Sequence, residues 1–211
     1  MRGFLLTEGF VTSLDEVSRI DLEHKENHAL VFLVDGVEFD SERLSRNLFS
    51  ASSCGICGKA SIESIQQYYP VVESGLQRRV EQFLSFPDQL RAAQQSFART
   101  GGIHAAGLFD SEGTLLVLRE DVGRHNAIDK AIGWAAENGI QGRDVVLQVS
   151  GRVSFEVMQK ALAVGVPIVS AISAPSSLAV DFARENKQTL IGFLRPPTFN
   201  VYSEAQRILI D

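Results

Sequence analysis

The sequence predicts an α/β protein in which a mixed, largely parallel sheet is covered by helices on both faces. Beyond residue 101, short apolar runs alternate with longer stretches of helical spacing. The runs Val145 to Val149, Pro167 to Ile172 and Leu190 to Leu194 are almost wholly apolar, as strands buried on both faces are. A β-α-β-α-β succession of this kind makes a parallel sheet, with ligands expected outside the carboxyl ends of its strands. With 211 residues, 45% hydrophobic and 22% charged, the chain suffices for one domain with a sizeable core, and it shows no repeat, linker or low-complexity segment.

Taken in order, Met1-Arg2-Gly3-Phe4-Leu5-Leu6 lacks the apolar run and cleavage site of a secretory signal. No stretch approaches the ~18 apolar residues of a membrane span. A cytoplasmic protein with reduced thiols is expected. The net charge of −6 offers no bulk attraction to nucleic acid or an anionic membrane. Ala29 to Val34 and Val37 to Phe39 flank Asp35-Gly36, a hairpin dipeptide, and lead towards a glycine-punctuated cysteine segment. Ser61 to Phe97 reads as helix, with Pro87 in an early helical position, Leu90, Ala93 and Phe97 at helical spacing, and Gly101-Gly102 as the stop. A strand from Ile103 to Phe109, a turn at Asp110-Ser111-Glu112-Gly113 and a strand from Thr114 to Leu118 follow. A helix from Asn126 to Glu137 closes at Asn138-Gly139, and helices near Ser154 to Val164 and Ser176 to Glu185 separate the buried strands. One domain over 1–211 is expected: a hairpin region and cysteine loop (1–60), a helical segment (61–100) and an α/β core (101–211).

The chain's two cysteines stand three apart, in Ser52-Ser53-Cys54-Gly55-Ile56-Cys57-Gly58-Lys59. A thiolate is both a nucleophile and a metal ligand, so the pair offers dithiol redox, part of a zinc site, or carriage of sulfur as a persulfide. Lys59 and the dipole of a following helix would favour the thiolate. His24-Lys25-Glu26 ahead of Cys54 and Cys57 repeats the order of zinc nucleobase deaminases. The context differs: His24 lies in a polar run beside a strand, and Ser53 stands where those enzymes have proline. A structural zinc on the two cysteines and two of His24, His28, His104 and His125 lacks paired histidine spacing, and no resident metal is expected.

Four strand ends carry polar and small residues: Arg119 to Asn126, Ser150 to Glu156, Ser173 to Ser177, and Arg195-Pro196-Pro197-Thr198. The middle two place Ser and Gly or Pro before a helix, where free N–H groups and the helix dipole hold phosphate. Arg119, Arg124, Arg152 and Arg195 would add charge-assisted contacts to an anionic, phosphorylated ligand. Each residue also has a plainer role. Ser150, Ser154, Ser173 and Ser176 serve equally as helix caps; Arg119 with Glu120 and Asp121, or Arg152 with Glu156, serve as surface ion pairs; His125 caps or packs, and His104 in an apolar strand reads as a core histidine.

The cysteine segment Ser52-Ser53-Cys54-Gly55-Ile56-Cys57-Gly58-Lys59, with Thr100-Gly101-Gly102-Ile103-His104-Ala105-Ala106, Arg119-Glu120-Asp121-Val122-Gly123-Arg124-His125-Asn126, Ser150-Gly151-Arg152, Ser173-Ala174-Pro175-Ser176-Ser177-Leu178-Ala179-Val180 and Asn200-Val201-Tyr202-Ser203, resembles the formate dehydrogenase accessory sulfurtransferases (FdhD). The resemblance runs over nearly the whole chain, although the family usually has several tens of residues ahead of Gly3-Phe4-Leu5-Leu6-Thr7-Glu8-Gly9. It implies a fold similar to the cytidine deaminases without their zinc chemistry. It also implies a sulfur carrier that takes a persulfide from a cysteine desulfurase and passes the sulfur to the molybdenum (or tungsten) bis-guanine-dinucleotide cofactor, Mo-bis(molybdopterin guanine dinucleotide), for formate dehydrogenase. By motif position Cys54 would bear the persulfide with Cys57 assisting, Phe193-Leu194-Arg195-Pro196-Pro197-Thr198 would bind the cofactor, and the protein would act as a homodimer. Arg152, Ser173 and Ser176 join the cofactor site from the strand-end reading. The competing classes are a nucleotide- or phosphate-binding module with a structural Cys-x-x-Cys zinc site, and a dithiol oxidoreductase. The latter would want its cysteines at an early strand-to-helix junction rather than after a hairpin.

Overall fold

A computed structural model describes residues 1–22, 29–37 and 69–210. The chain opens with helix α1 (Arg2–Thr7), which buries Leu5 and Leu6 alongside Val11. Strands β1 (Val17–Asp21) and β2 (Leu30–Leu33) pair antiparallel and lay Val17, Ile20, Val31 and Leu33 on that cluster. The run Ala29 to Val34 is therefore a strand as expected, but among the described residues its partner is β1, which adds apolar side chains facing α1. Asp35-Gly36 does turn, with Gly36 at φ 90° and the Val37 amide donating to the Val34 carbonyl at 3.3 Å. Most of the expected second arm, from residue 38, lies outside the described residues.

The stretch expected to be helical from Ser61 is helical, among the described residues, only from Val80. Residues 69–77 carry no helix, and Pro70 biases its predecessor away from helical backbone. Val72 is buried, and its amide donates to the Asn186 carbonyl at 3.1 Å, strapping this segment to the core. Strand β3 (Arg78–Arg79) then runs parallel to the last strand, β10 (Ile208–Leu209). In helix α2 (Val80–Ala93) the Gln82 side chain accepts the Arg79 amide at 3.0 Å, closing the first turn. Pro87 sits in the interior of α2, not near its start, and supplies no N–H to the carbonyl four residues back. Burial of Phe83, Phe86 and Leu90, each fully inaccessible, outweighs that loss. A break at Gln94 separates α3 (Gln95–Thr100), which ends at Gly101 in the left-handed region, φ 67°, as the glycine pair predicts.

The main sheet follows. Its strands are β4 (His104–Phe109), β5 (Leu115–Asp121), β6 (Val146–Val149), β7 (Ile168–Ala171), β8 (Thr189–Arg195) and β9 (Thr198–Ser203), in spatial order β5-β4-β6-β7-β8-β9. The parallel part is β6-β7-β8, and the flanking pairings β5-β4, β4-β6 and β8-β9 are antiparallel. Helices α4 (Arg124–Glu137), α5 (Phe155–Ala163) and α6 (Ser177–Glu185) pack on one face through Ile128, Met158 and Phe182, against Leu147, Val149 and Val169. On the other face α2 seats Phe83 and Phe86 against Phe109, Val146, Ile168 and Ile191. Alternate residues of β6 thus enter opposite cores, which explains its unbroken apolar run. No helix of the described residues is long and apolar enough to cross a membrane.

Candidate functional site

The pairing directions bring the carboxyl ends of β5, β6, β7 and β8 to one edge of the sheet, with the first residues of β4 and β9 beside them. The loop after β6 starts by extending the sheet: the Ser150 hydroxyl accepts the Ala105 amide at 2.9 Å and the Ser150 amide donates to the Ala105 carbonyl at 3.0 Å. Gly151 comes next, packed under two site side chains. A Cβ there would lie 3.2 Å from His104 Nδ1 and 3.7 Å from Arg124 Cδ, so the absence of a side chain sets how closely they approach. His104 is thus a half-buried residue at the sheet edge rather than the core histidine expected.

This loop is laced to the next one. The Val153 amide donates to the Ala174 carbonyl at 3.1 Å, and the Ser176 amide to the Val153 carbonyl at 2.9 Å. Ser176 Oγ accepts the Ala179 amide at 3.2 Å and caps α6, the plainer of its two roles. Ser154 holds the cap position of α5 but makes no side-chain cap bond; its hydroxyl faces His125 Nε2 at 3.5 Å. The N-terminal turns of α4 and α5 therefore converge on the His125–Ser154 contact, where helix dipoles favour negative charge. Arg124 Nε, buried beside them, has no hydrogen-bond partner.

The β8–β9 hairpin closes the far side. Gly192 packs so tightly on the loop after β7 that a Cβ would stand 2.8 Å from Pro175 Cδ. The Phe193 amide donates to the Ser173 carbonyl at 3.1 Å, and Arg195 Nε to the Ile172 carbonyl at 3.2 Å. Phe193 combines a left-handed φ of 52° with a residue exposure of 39%. Such backbone costs on the order of 1–3 kcal/mol for a non-glycine residue and gathers at ligand sites. Pro196, Pro197 and Thr198 are exposed, with a cis bond between the prolines. Leu194 is wholly buried in the α2-side core, so its side chain does not face this surface. Arg152 is exposed on the loop after β6.

Arg119 departs from the expected cluster. Strand β5 continues through Asp121, and each of its polar residues is engaged by a flanking element. Arg119 lies 5.9 Å over the Trp134 ring, along α4 and away from the strand end. Glu120 accepts the Ser96 and Phe97 amides, both at 2.8 Å, and caps α3. Burial pushes its carboxyl up, but those two bonds outweigh it and hold it below the ordinary range. Asp121 is treated alike: burial opposes its charge, while Lys130 at 2.5 Å, the Gly123 amide and Asn126 bring it below the ordinary range. Helix α4 starts at Arg124, ahead of the expected Asn126, which places Arg124 and His125 in its first turn. Among the described residues no group of three or more His, Cys, Asp or Glu could hold a metal. Cys54, Cys57, Lys59, His24 and His28 lie outside the described residues.

The family model described as FdhD/NarQ matches residues 1–209. The chain belongs to the FdhD/NarQ family. The sulfur carrier protein FdhD of Mycolicibacterium paratuberculosis is 45% identical over 98% of this chain and 80% of its own length. That of Streptomyces avermitilis is 45% identical over 99% and 78%, and that of Saccharolobus solfataricus 39% identical over 98% and 77%. A crystal structure from Desulfotalea psychrophila, described as a formate dehydrogenase accessory protein, superposes with a TM-score of 0.74 at 24% identity, covering 99% of this chain and 77% of that one. It shows that the two share a fold. Two features escaped the sequence reading: the His104–Gly151–Arg124 packing and the His125–Ser154 contact. A histidine and a serine that each open a helix after a strand, in the two successive strand–helix units, were the available signal for the second.

Proposed function

We propose that this chain is a sulfur carrier whose persulfide forms on Cys54, with Cys57 assisting, and whose strand-end crevice holds the guanine-dinucleotide cofactor that receives the sulfur. The observation that carries the reading is membership of the FdhD/NarQ family, with relatives 45% identical to this chain named sulfur carrier proteins, joined to the chain's only two cysteines, in the spacing Cys-x-x-Cys. In the loading step the Cys54 thiolate attacks the outer sulfur of a cysteine desulfurase persulfide. The S–S bond of the donor breaks, a new S–S bond forms on Cys54, and the donor's cysteine leaves as a thiolate. Glycine at 55 and 58 brings no side chain that would oppose a large partner.

The sheet edge supports the second half of the reading. Converging helix N-termini, Arg124, Arg152 and Arg195 suit phosphate groups, and the exposed Phe193 ring offers an apolar platform for a planar base. Molybdenum bis(molybdopterin guanine dinucleotide) is cargo here rather than a resident group. Ser173 enters through its backbone carbonyl, which positions Phe193, and Ser176 through its cap. The layering, with three helices on one face and α2 on the other, is read as deaminase-like. Delivery to formate dehydrogenase, a cytoplasmic setting, a single domain and a homodimer complete the proposal. The test is sulfur transfer: Cys54→Ala folds and passes no sulfur from donor to acceptor, and full transfer by that variant would overturn the assignment.

A further inference from the structure

Below the His125–Ser154 contact the same two helices are joined again. Asp129 follows His125 by one turn of α4, and Lys160 lies further along α5 than Ser154. Lys160 Nζ donates to Asp129 Oδ1 at 2.8 Å and Oδ2 at 3.1 Å, to Glu8 Oε1 at 2.7 Å and to Thr7 Oγ1 at 3.0 Å. The Thr7 hydroxyl in turn donates to Asp129 Oδ1 at 2.7 Å. The side chains of Lys160 and Asp129 are only 6% and 9% exposed. Burying charge in this way gains little stability over well-packed apolar residues, because desolvation offsets most of the attraction. What the cluster does provide is direction. Apolar faces tolerate sliding along a helix axis, whereas an ammonium whose donors are all engaged allows one offset.

We propose that Lys160 and Asp129 are positioning residues for the strand-end site: with Thr7 of α1 and Glu8, the residue that follows it, they fix the axial offset of α4 against α5 and so set the His125–Ser154 geometry. This rests on the reading that the crevice binds a phosphate-bearing guanine nucleotide, and it adds the device that holds the crevice in shape. Helix α1 becomes part of the support, since its Gly3 presses on the Asp129 carbonyl from outside.

The informative variant is Lys160→Met/Asp129→Leu, which replaces the pair by apolar side chains of similar volume; Lys160→Met alone strands a buried carboxylate and loses stability for that reason. Guanosine diphosphate affinity by calorimetry and the His125 ring signals in ¹H–¹⁵N spectra are compared at matched thermal midpoints. The double variant is expected to bind about tenfold more weakly, within the coupling usual for residues in one network, with shifted and broadened His125 signals. Native affinity with native His125 signals in the folded variant would overturn the proposal. If the wild-type chain binds no guanosine diphosphate, the nucleotide reading falls instead, and the His125 signals alone decide for or against the clamp.

Discussion

Replacing Gly3 by alanine sets helix propensity against packing. Propensity alone predicts a gain of about 0.8–1 kcal/mol, since glycine is the poorer helix former. The structure predicts the opposite sign. A Cβ on Gly3 would stand 1.7 Å from the Asp129 carbonyl oxygen and 2.7 Å from the Gly133 amide nitrogen, both backbone atoms of α4 that cannot step aside. Helix α1 must therefore lift from α4, loosening Leu5 and Leu6, which are 4% and 8% exposed. Full exposure of both would forfeit roughly 3–6 kcal/mol. Partial lifting plus the strain of overpacking, less the propensity gain, leaves a net loss of about 2–4 kcal/mol. For a chain of this size that lowers the thermal midpoint by roughly 4–16 °C. Chemical and thermal denaturation measure it, with Gly75→Ala as the control, because nothing lies within 4 Å of a Cβ there. A Gly3→Ala protein as stable as the wild type, or more so, would refute the close α1–α4 approach.

Arg195→Ala or Arg152→Ala should each weaken guanosine diphosphate binding by about 10–100-fold, the worth of one charge-assisted contact; unchanged affinity in both would move the nucleotide site elsewhere. Glu120→Gln should cost about 1 kcal/mol at pH 7, because it removes the charge and one of the two oxygens that accept the α3 amides, read by denaturant unfolding. Its pH dependence has a definite sign. The folded-state pKa of Glu120 lies below its unfolded value, so its contribution is complete above about pH 4.3 and is lost as pH falls through the lower, folded value. The variant and the wild type should converge in strong acid, and a gap that persists there would contradict the cap assignment.

The parallel heart of the fold was legible because burial on both faces leaves a pattern a single strand carries by itself. Val146, Leu147 and Val149 need no knowledge of their neighbours to read as a covered strand, and Gly101 and Gly139 mark helix ends by their own backbone conformation, φ 67° and 70°. Contacts across the fold left no such trace. Strand β2 pairs with β1 because α1 supplies a floor for both, and nothing in Ala29 to Val34 announces that choice. Arg119 carries the composition of a ligand residue, yet Trp134 takes its guanidinium; Glu120 belongs to α3 for the same tertiary reason. The site edge was legible as a set of strand ends, while Gly151 beneath His104 and Arg124 required the antiparallel β4–β6 pairing to bring residues 104 and 151 together.

The central claim is that Cys54 carries sulfur. The purified, reduced chain is incubated with a cysteine desulfurase and L-cysteine, and its intact mass is measured beside that of Cys54→Ala. The account predicts a reducible gain of one sulfur atom in the wild type and none in the variant; no gain on a folded wild-type protein with an active donor, or an equal gain in the variant, would contradict it.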